Sequence, residues 1–149
     1  TVRLGASTGH ATLSLDGSDT SWAASSDERL KKDIADCSVG LNFIKELRPV
    51  TYKWNAKNAV ADDLPQYNKD SSDPVYGSGK TEHGFIAQEV KKVIDNYSGL
   101  KDGFTMWSED PNGTQQVAPA ALIPILVNAI KELSTKVTTL EAEVTKLKG

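Results

Sequence analysis

The sequence predicts an α+β fold: a small mixed domain with a polar protruding arm, short β-strands ahead of it, and a long C-terminal helix behind it. Three observations carry that expectation. Residues 119–149 hold an unbroken heptad repeat, alternating and helical apolar patterns interleave between Val39 and Val117, and a polar run at 56–82 parts two ordered elements.

The first 25 residues are rich in Ser, Thr, Gly and Ala, with alternating stretches Val2-Arg3-Leu4 and Ala11-Thr12-Leu13-Ser14-Leu15 and a turn signal at Asp16-Gly17. Side chains this small form strands with little core of their own, so the strands need partners. The charged run Asp27–Asp33 follows. Val39, Leu41, Ile44 and Leu47 then give a helical spacing that Pro49 ends, and Val50-Thr51-Tyr52-Lys53-Trp54 alternates like a half-buried strand.

The segment 56–82 carries Asp62-Asp63, Pro65, Ser71-Ser72-Asp73-Pro74 and Gly77-Ser78-Gly79. Its length and polarity predict an arm, with an ordinary solvent-exposed loop as the alternative. Gly84-Phe85-Ile86-Ala87-Gln88-Glu89-Val90 leads into Val93 and Ile94 as a strand-to-helix unit, and Phe104–Trp107 and Gln115–Val117 flank the turn Asp110-Pro111-Asn112-Gly113 as a hairpin.

The final segment is the most regular. Ile123, Leu126, Ile130, Leu133, Val137, Leu140, Val144 and Leu147 follow alternating spacings of three and four, an a/d seam with Ile123 at a. Position g holds Lys136 and Glu143, and position e holds Glu141 and Lys148. In a parallel, in-register assembly Lys136 meets the neighbour's Glu141 and Glu143 meets its Lys148, so the sequence predicts a parallel coiled coil. A single amphipathic helix packed on its own domain is the alternative, but it has no use for matched g/e charges. Ile or Val at a with Leu at d favours two strands, while a seam only ~36 Å long lets the attached domain override that preference.

Composition narrows the function. A net charge of −3 gives no basic field for nucleic acid, and no apolar run is long enough to span a bilayer, so neither partner is expected. The sequence starts on Thr1 without a signal-peptide pattern and reads as a piece of a longer chain. Cys37 is alone, which excludes an internal disulfide. His10, His83 and Cys37 lack metal-ligand spacing, so no metal or other cofactor is expected. Gly79-Lys80-Thr81 ends like a phosphate-binding loop, but Pro74 stands where its first glycine belongs. Trp54 and Trp107 are expected in a core or interface, while Trp22 stands out among small residues.

Four blocks resemble, in order, the C-terminal intramolecular chaperone of phage tail spikes and tail fibres, the endosialidase type. They are Ser26-Asp27-Glu28-Arg29-Leu30-Lys31-Lys32-Asp33-Ile34, Leu47-Arg48-Pro49-Val50-Thr51-Tyr52-Lys53-Trp54, Gly84–Val90, and Leu122-Ile123-Pro124 through Ala129-Ile130-Lys131-Glu132-Leu133. The resemblance implies a homotrimer that helps passenger fibre chains fold and then releases itself by autoproteolysis. Residues 1–26 become the end of the passenger fibre, 27–118 the chaperone's globular region with its arm at 56–82 reaching toward the passenger, and 119–149 the coiled-coil helix. It also implies a catalytic Ser26–Lys31 pair and a cut between Ser26 and Asp27. The setting implied is the host cytoplasm during phage assembly, with the passenger going to the virion tail. The rival reading is a structural trimerisation module that stays attached. A further use of such domains, releasing a DNA-binding part, fits poorly because Arg3 is the only cation in residues 1–25.

The chemistry of the pair sets its own conditions. A serine hydroxyl needs a base, and a lysine is one only when neutral. Moving a lysine from its usual ~10.4 to near 7 takes roughly 4–5 kcal/mol, most of which burial must supply. Packing chains around the site would then time the cut. The same residues also spell an ordinary helix start, with Ser25 and Glu28 as a capping box. The two readings conflict, because positions i and i+5 lie ~140° apart on an α-helix. Direct attack by Ser26 on the preceding carbonyl would break Ser25-Ser26 instead, so the side of the cut stays open.

Overall fold

Every buried apolar side chain among the described residues comes from Phe43 onward, and the architecture divides accordingly. The computed structural model describes residues 2–5, 10–13, 22–101 and 103–149. They fall into two compact units, Thr1–Asp36 and Cys37–Gly149.

In the first unit β1 (Val2–Gly5), β2 (His10–Leu13) and β3 (Ala23–Ala24) form an antiparallel sheet in that order. Leu4 pairs with Ala11, and Thr12 with Ala23. None of the described residues of this unit is buried, as side chains this small imply. The expected turn at Asp16-Gly17 lies outside the described residues.

The second unit is mixed, with small antiparallel sheets and three α-helices. Its first helix, α1 (Leu41–Glu46), ends where Leu47 turns extended, two residues before Pro49. β4 (Val50–Tyr52) pairs with β5 (Glu82–Gly84), Thr51 opposite His83. α2 (Ala87–Asp95) buries Val90 and Ile94, four residues apart on one face. β6 (Trp107–Glu109) and β7 (Gln115–Val117) make the expected hairpin. Its turn is closed by Gly113 N donating to Asp110 O at 2.8 Å, with Gly113 at φ +80°. The first strand starts later than Phe104–Trp107 suggested. Phe104 instead packs edge-on against Phe43, and Met106 is fully buried. The helix α3 (Ile123–Lys148) closes the chain.

The core gathers Phe43, Val90, Ile94, Leu100, Met106, Leu122 and Ile125. Tyr97 adds a second edge-on contact to Phe43 and donates its hydroxyl to Glu46 at 2.8 Å. That bond favours the neutral phenol and raises its pKa. Arg48 forks Glu89, bonding at 2.9 and 2.5 Å, and so ties the start of β4 to α2 while holding the Glu89 carboxyl below its usual range.

The segment between β4 and β5, which takes in the expected arm at 56–82 except Glu82, already in β5, is an ordered excursion. Lys57 N donates to Asp73 O at 2.8 Å, Val75 N to Asn55 O at 2.8 Å, and Asn68 N to Lys57 O at 3.1 Å. Trp54 stands edge-on between Tyr52 and Tyr76, with centroids at 5.3 and 4.9 Å. It is 38% exposed, so it belongs to the arm's surface rather than to the core.

α3 is two-faced. Toward its own domain it turns Ile125 and Ala129, which are buried, together with Asn128 and Glu132. These occupy heptad positions c, f and g. The a/d stripe points elsewhere: Ile130 is 64% exposed and Val137 52%, and all eight stripe residues are exposed. The domain therefore does not use the stripe for its own core.

Candidate functional site

Ser26 precedes a single 3-10 turn, Glu28–Leu30. Asp27 opens the turn in extended conformation, φ −64° and ψ 131°, and its Oδ1 accepts from Arg29 N at 2.9 Å. Leu30 N donates to Asp27 O at 3.1 Å and Lys31 N to Glu28 O at 3.0 Å. Lys31 is again extended, φ −114° and ψ 152°. One tight turn between two extended residues folds the chain back on itself, and Lys31 Nζ donates to Ser26 Oγ at 2.7 Å. On a continued α-helix the two would face apart.

The Ser25–Glu28 capping box does not form. The turn starts two residues later than that motif requires, so Glu28 is the turn's first residue rather than its third. Asp27 wins the cap because its carboxylate accepts the Arg29 amide and the Arg29 guanidinium together. Arg29 Nε donates to Oδ1 at 2.9 Å and Nη2 to Oδ2 at 2.6 Å. The guanidinium, then the Arg29 amide, and to a lesser degree the Lys31 charge hold the Asp27 carboxyl below its usual range. The carboxylate in turn raises the Arg29 pKa. This pair was legible only as nearby charge, because an i, i+2 contact has no counterpart on an α-helix. Just downstream, Asp33 has φ +54°, a left-handed position that Asp tolerates better than most residues and that turns the chain after the block.

Ser26 and Lys31 are both exposed within the chain, and the Ser26-Asp27 bond sits where the extended backbone enters the turn. Cys37 is exposed, with its thiol donating to Val39 O at 3.4 Å, and Gly79-Lys80-Thr81 is part of the arm. Among the described residues no three His, Cys, Asp or Glu side chains come together as a metal site would need.

Along the chain the block is followed by α1, β4, the arm, β5 and α2, elements of a small mixed α/β unit. Residues 26–98 match the family model described as chaperone of endosialidase, whose name also relates it to the peptidases. The match opens on Ser26 and takes in Lys31, Arg48 and Glu89, while β6, β7 and α3 lie beyond it. No curated protein matches the chain.

Proposed function

We propose that this chain is a self-cleaving assembly chaperone of a phage tail fibre or spike, with Ser26 and Lys31 as its cleaving pair. The observation that carries the reading is the 2.7 Å contact between Lys31 Nζ and Ser26 Oγ across the 3-10 turn. In the resting chain the exposed ammonium donates to the hydroxyl. Catalysis needs the reverse, a neutral amine accepting the hydroxyl proton, and water around an exposed lysine opposes that. Assembly along the open α3 stripe brings three chains together, dries the pair and so times the cut. The ordered arm is available to reach the passenger chains, to which residues 1–26 belong.

The cut follows Ser26. The pair activates a water whose oxygen bonds to the Ser26 carbonyl carbon, the bond to Asp27 N breaks, and the proton passes to that nitrogen. The passenger then keeps Ser26 as its last residue, and loss of the chaperone leaves the fibre kinetically trapped. The setting is the host cytoplasm during phage assembly, from which the passenger joins the virion tail.

The test compares the chain with its Ser26→Ala and Lys31→Met variants on a denaturing gel, with the mass of the smaller fragment measured. Two fragments from the unaltered chain and one intact band from both variants are expected. Cleavage that persists without either side chain sinks the proposal. A smaller fragment short by one serine moves the cut to Ser25-Ser26, by direct attack of Ser26 on the preceding carbonyl. An intact chain in all three leaves the non-cleaving trimerisation module as the better reading.

A further inference from the structure

Two cations and two acceptors meet at the turn, and they are divided in one particular way. The Arg29 guanidinium takes both oxygens of the Asp27 carboxylate, at 2.9 and 2.6 Å, and the Lys31 ammonium takes the Ser26 hydroxyl at 2.7 Å. The division follows from shape: a planar guanidinium makes two parallel bonds to a carboxylate, whereas an ammonium is a point charge. Asp27 nonetheless lies within electrostatic reach of Lys31, whose charge helps to keep its carboxyl ionised. The attraction is mutual, so an Asp27 carboxylate without its guanidinium is free to draw the Lys31 side chain away from the serine. Glu28, Lys32 and Asp33 also surround the turn, exposed and with no ion pair among the described residues.

Resting on the assignment of Ser26 and Lys31 as the cleaving pair, we infer that Arg29 is a positioning residue for self-cleavage: by forking Asp27 it keeps that carboxylate on the turn and off the lysine, leaving Lys31 to the serine. Arg29 touches neither the scissile carbonyl nor the hydroxyl. Its effect runs through Asp27, and so a change at Asp27 must cancel a change at Arg29.

The full chain is refolded from denaturant over a pH series from about 6 to about 9, and self-cleavage is timed for the unaltered chain, Arg29→Gln, Asp27→Asn and the double variant. Asn caps a helical turn about as well as Asp, so Asp27→Asn keeps the cap and removes the charge. Arg29→Gln is expected to move the rate–pH curve upward by about half to one pH unit and to slow the cut about three- to tenfold at neutral pH. The double variant is expected to cut within about twofold of Asp27→Asn alone, because no carboxylate remains to be unpaired. An unmoved curve in Arg29→Gln overturns the inference, and so does a slowing that Asp27→Asn fails to relieve, since Arg29 would then only brace the turn. Arg29→Lys keeps the charge and loses the fork. It is expected to shift the curve in the same direction but less, and an unmoved curve there overturns the inference even if Arg29→Gln does not assemble. Ser26→Ala is run beside them: a chain still cut at the same bond refutes the cleaving pair itself, a failure distinct from that of Arg29.

Discussion

Glu132 caps α1 from 91 positions away, its Oε2 accepting from Leu41 N at 3.1 Å. The local residue at that cap is Gly40, which has no side chain to offer. A Cβ at Gly40 would collide with the Glu132 carboxylate, so the glycine and the acid are one device. One turn earlier on α3, Asn128 donates to Val39 O at 2.9 Å and to Cys37 O at 3.1 Å. Glu132→Ala is expected to lower stability by about 1–2 kcal/mol, the usual worth of a helix cap, while Glu132→Gln keeps an acceptor and loses less. Denaturant unfolding monitored by tryptophan fluorescence reads both, and a Glu132→Ala chain as stable as the original rules the cap out. Nothing local in the sequence betrays this contact, because the partners are far apart along the chain and the acid sits at an ordinary solvent-facing heptad position. The Ser26–Lys31 contact was half legible for a related reason. Its spacing is plain in the sequence, but whether five residues bring two side chains together or apart depends on the backbone between them, and Asp27 rather than Ser25 decides that.

α3 contains two helices' worth of physics in one element. Up to Glu132 it is anchored through Ile125, Asn128, Ala129 and Glu132, and from Leu133 on every residue is exposed. Most helical stability in proteins comes from packing an amphipathic face, so the far half has little besides its a/d stripe to hold it. If the stripe is the interface, order there and association there are one event. Replacing Val137 and Leu140 by Asp is therefore expected to abolish assembly in sedimentation and to lower far-UV helicity, with the core signal of Trp107 unchanged. Retained assembly would show that the stripe is not the interface. The heptad was the most readable part of the chain because its period needs no long-range information. The sequence could not reveal that the domain would take positions c, f and g for itself. That division leaves the a/d face free, whereas a helix packed on its own domain by its stripe would have none to spare. The hairpin strand moved for the opposite reason: Phe104 and Met106 alternate like strand residues, yet burial against Phe43 draws them into the core ahead of Trp107.

For the molecule as a whole, the proposed cleaving pair and the open stripe pose one question: whether the proposed cut waits for assembly. Within a single chain the Ser26–Lys31 pair is exposed, the arrangement in which water most opposes a lysine acting as base. If assembly supplies the missing burial, the cleavage rate per chain must follow the assembled fraction rather than stay constant on dilution. Mass action makes that quantitative. Well below the assembly midpoint, a tenfold rise in chain concentration raises the assembled fraction about 100-fold for three chains and about tenfold for two. The slope of rate per chain against concentration therefore counts the chains in the cutting species, which the a/d residues alone leave between two and three. The measurement is a dilution series refolded at one pH, with fragments quantified on denaturing gels and the midpoint taken from sedimentation. A steep, trimer-like slope that flattens above the midpoint is expected. A rate per chain that holds level through the whole series means that each chain cuts alone, and the exposed pair is then active without its neighbours.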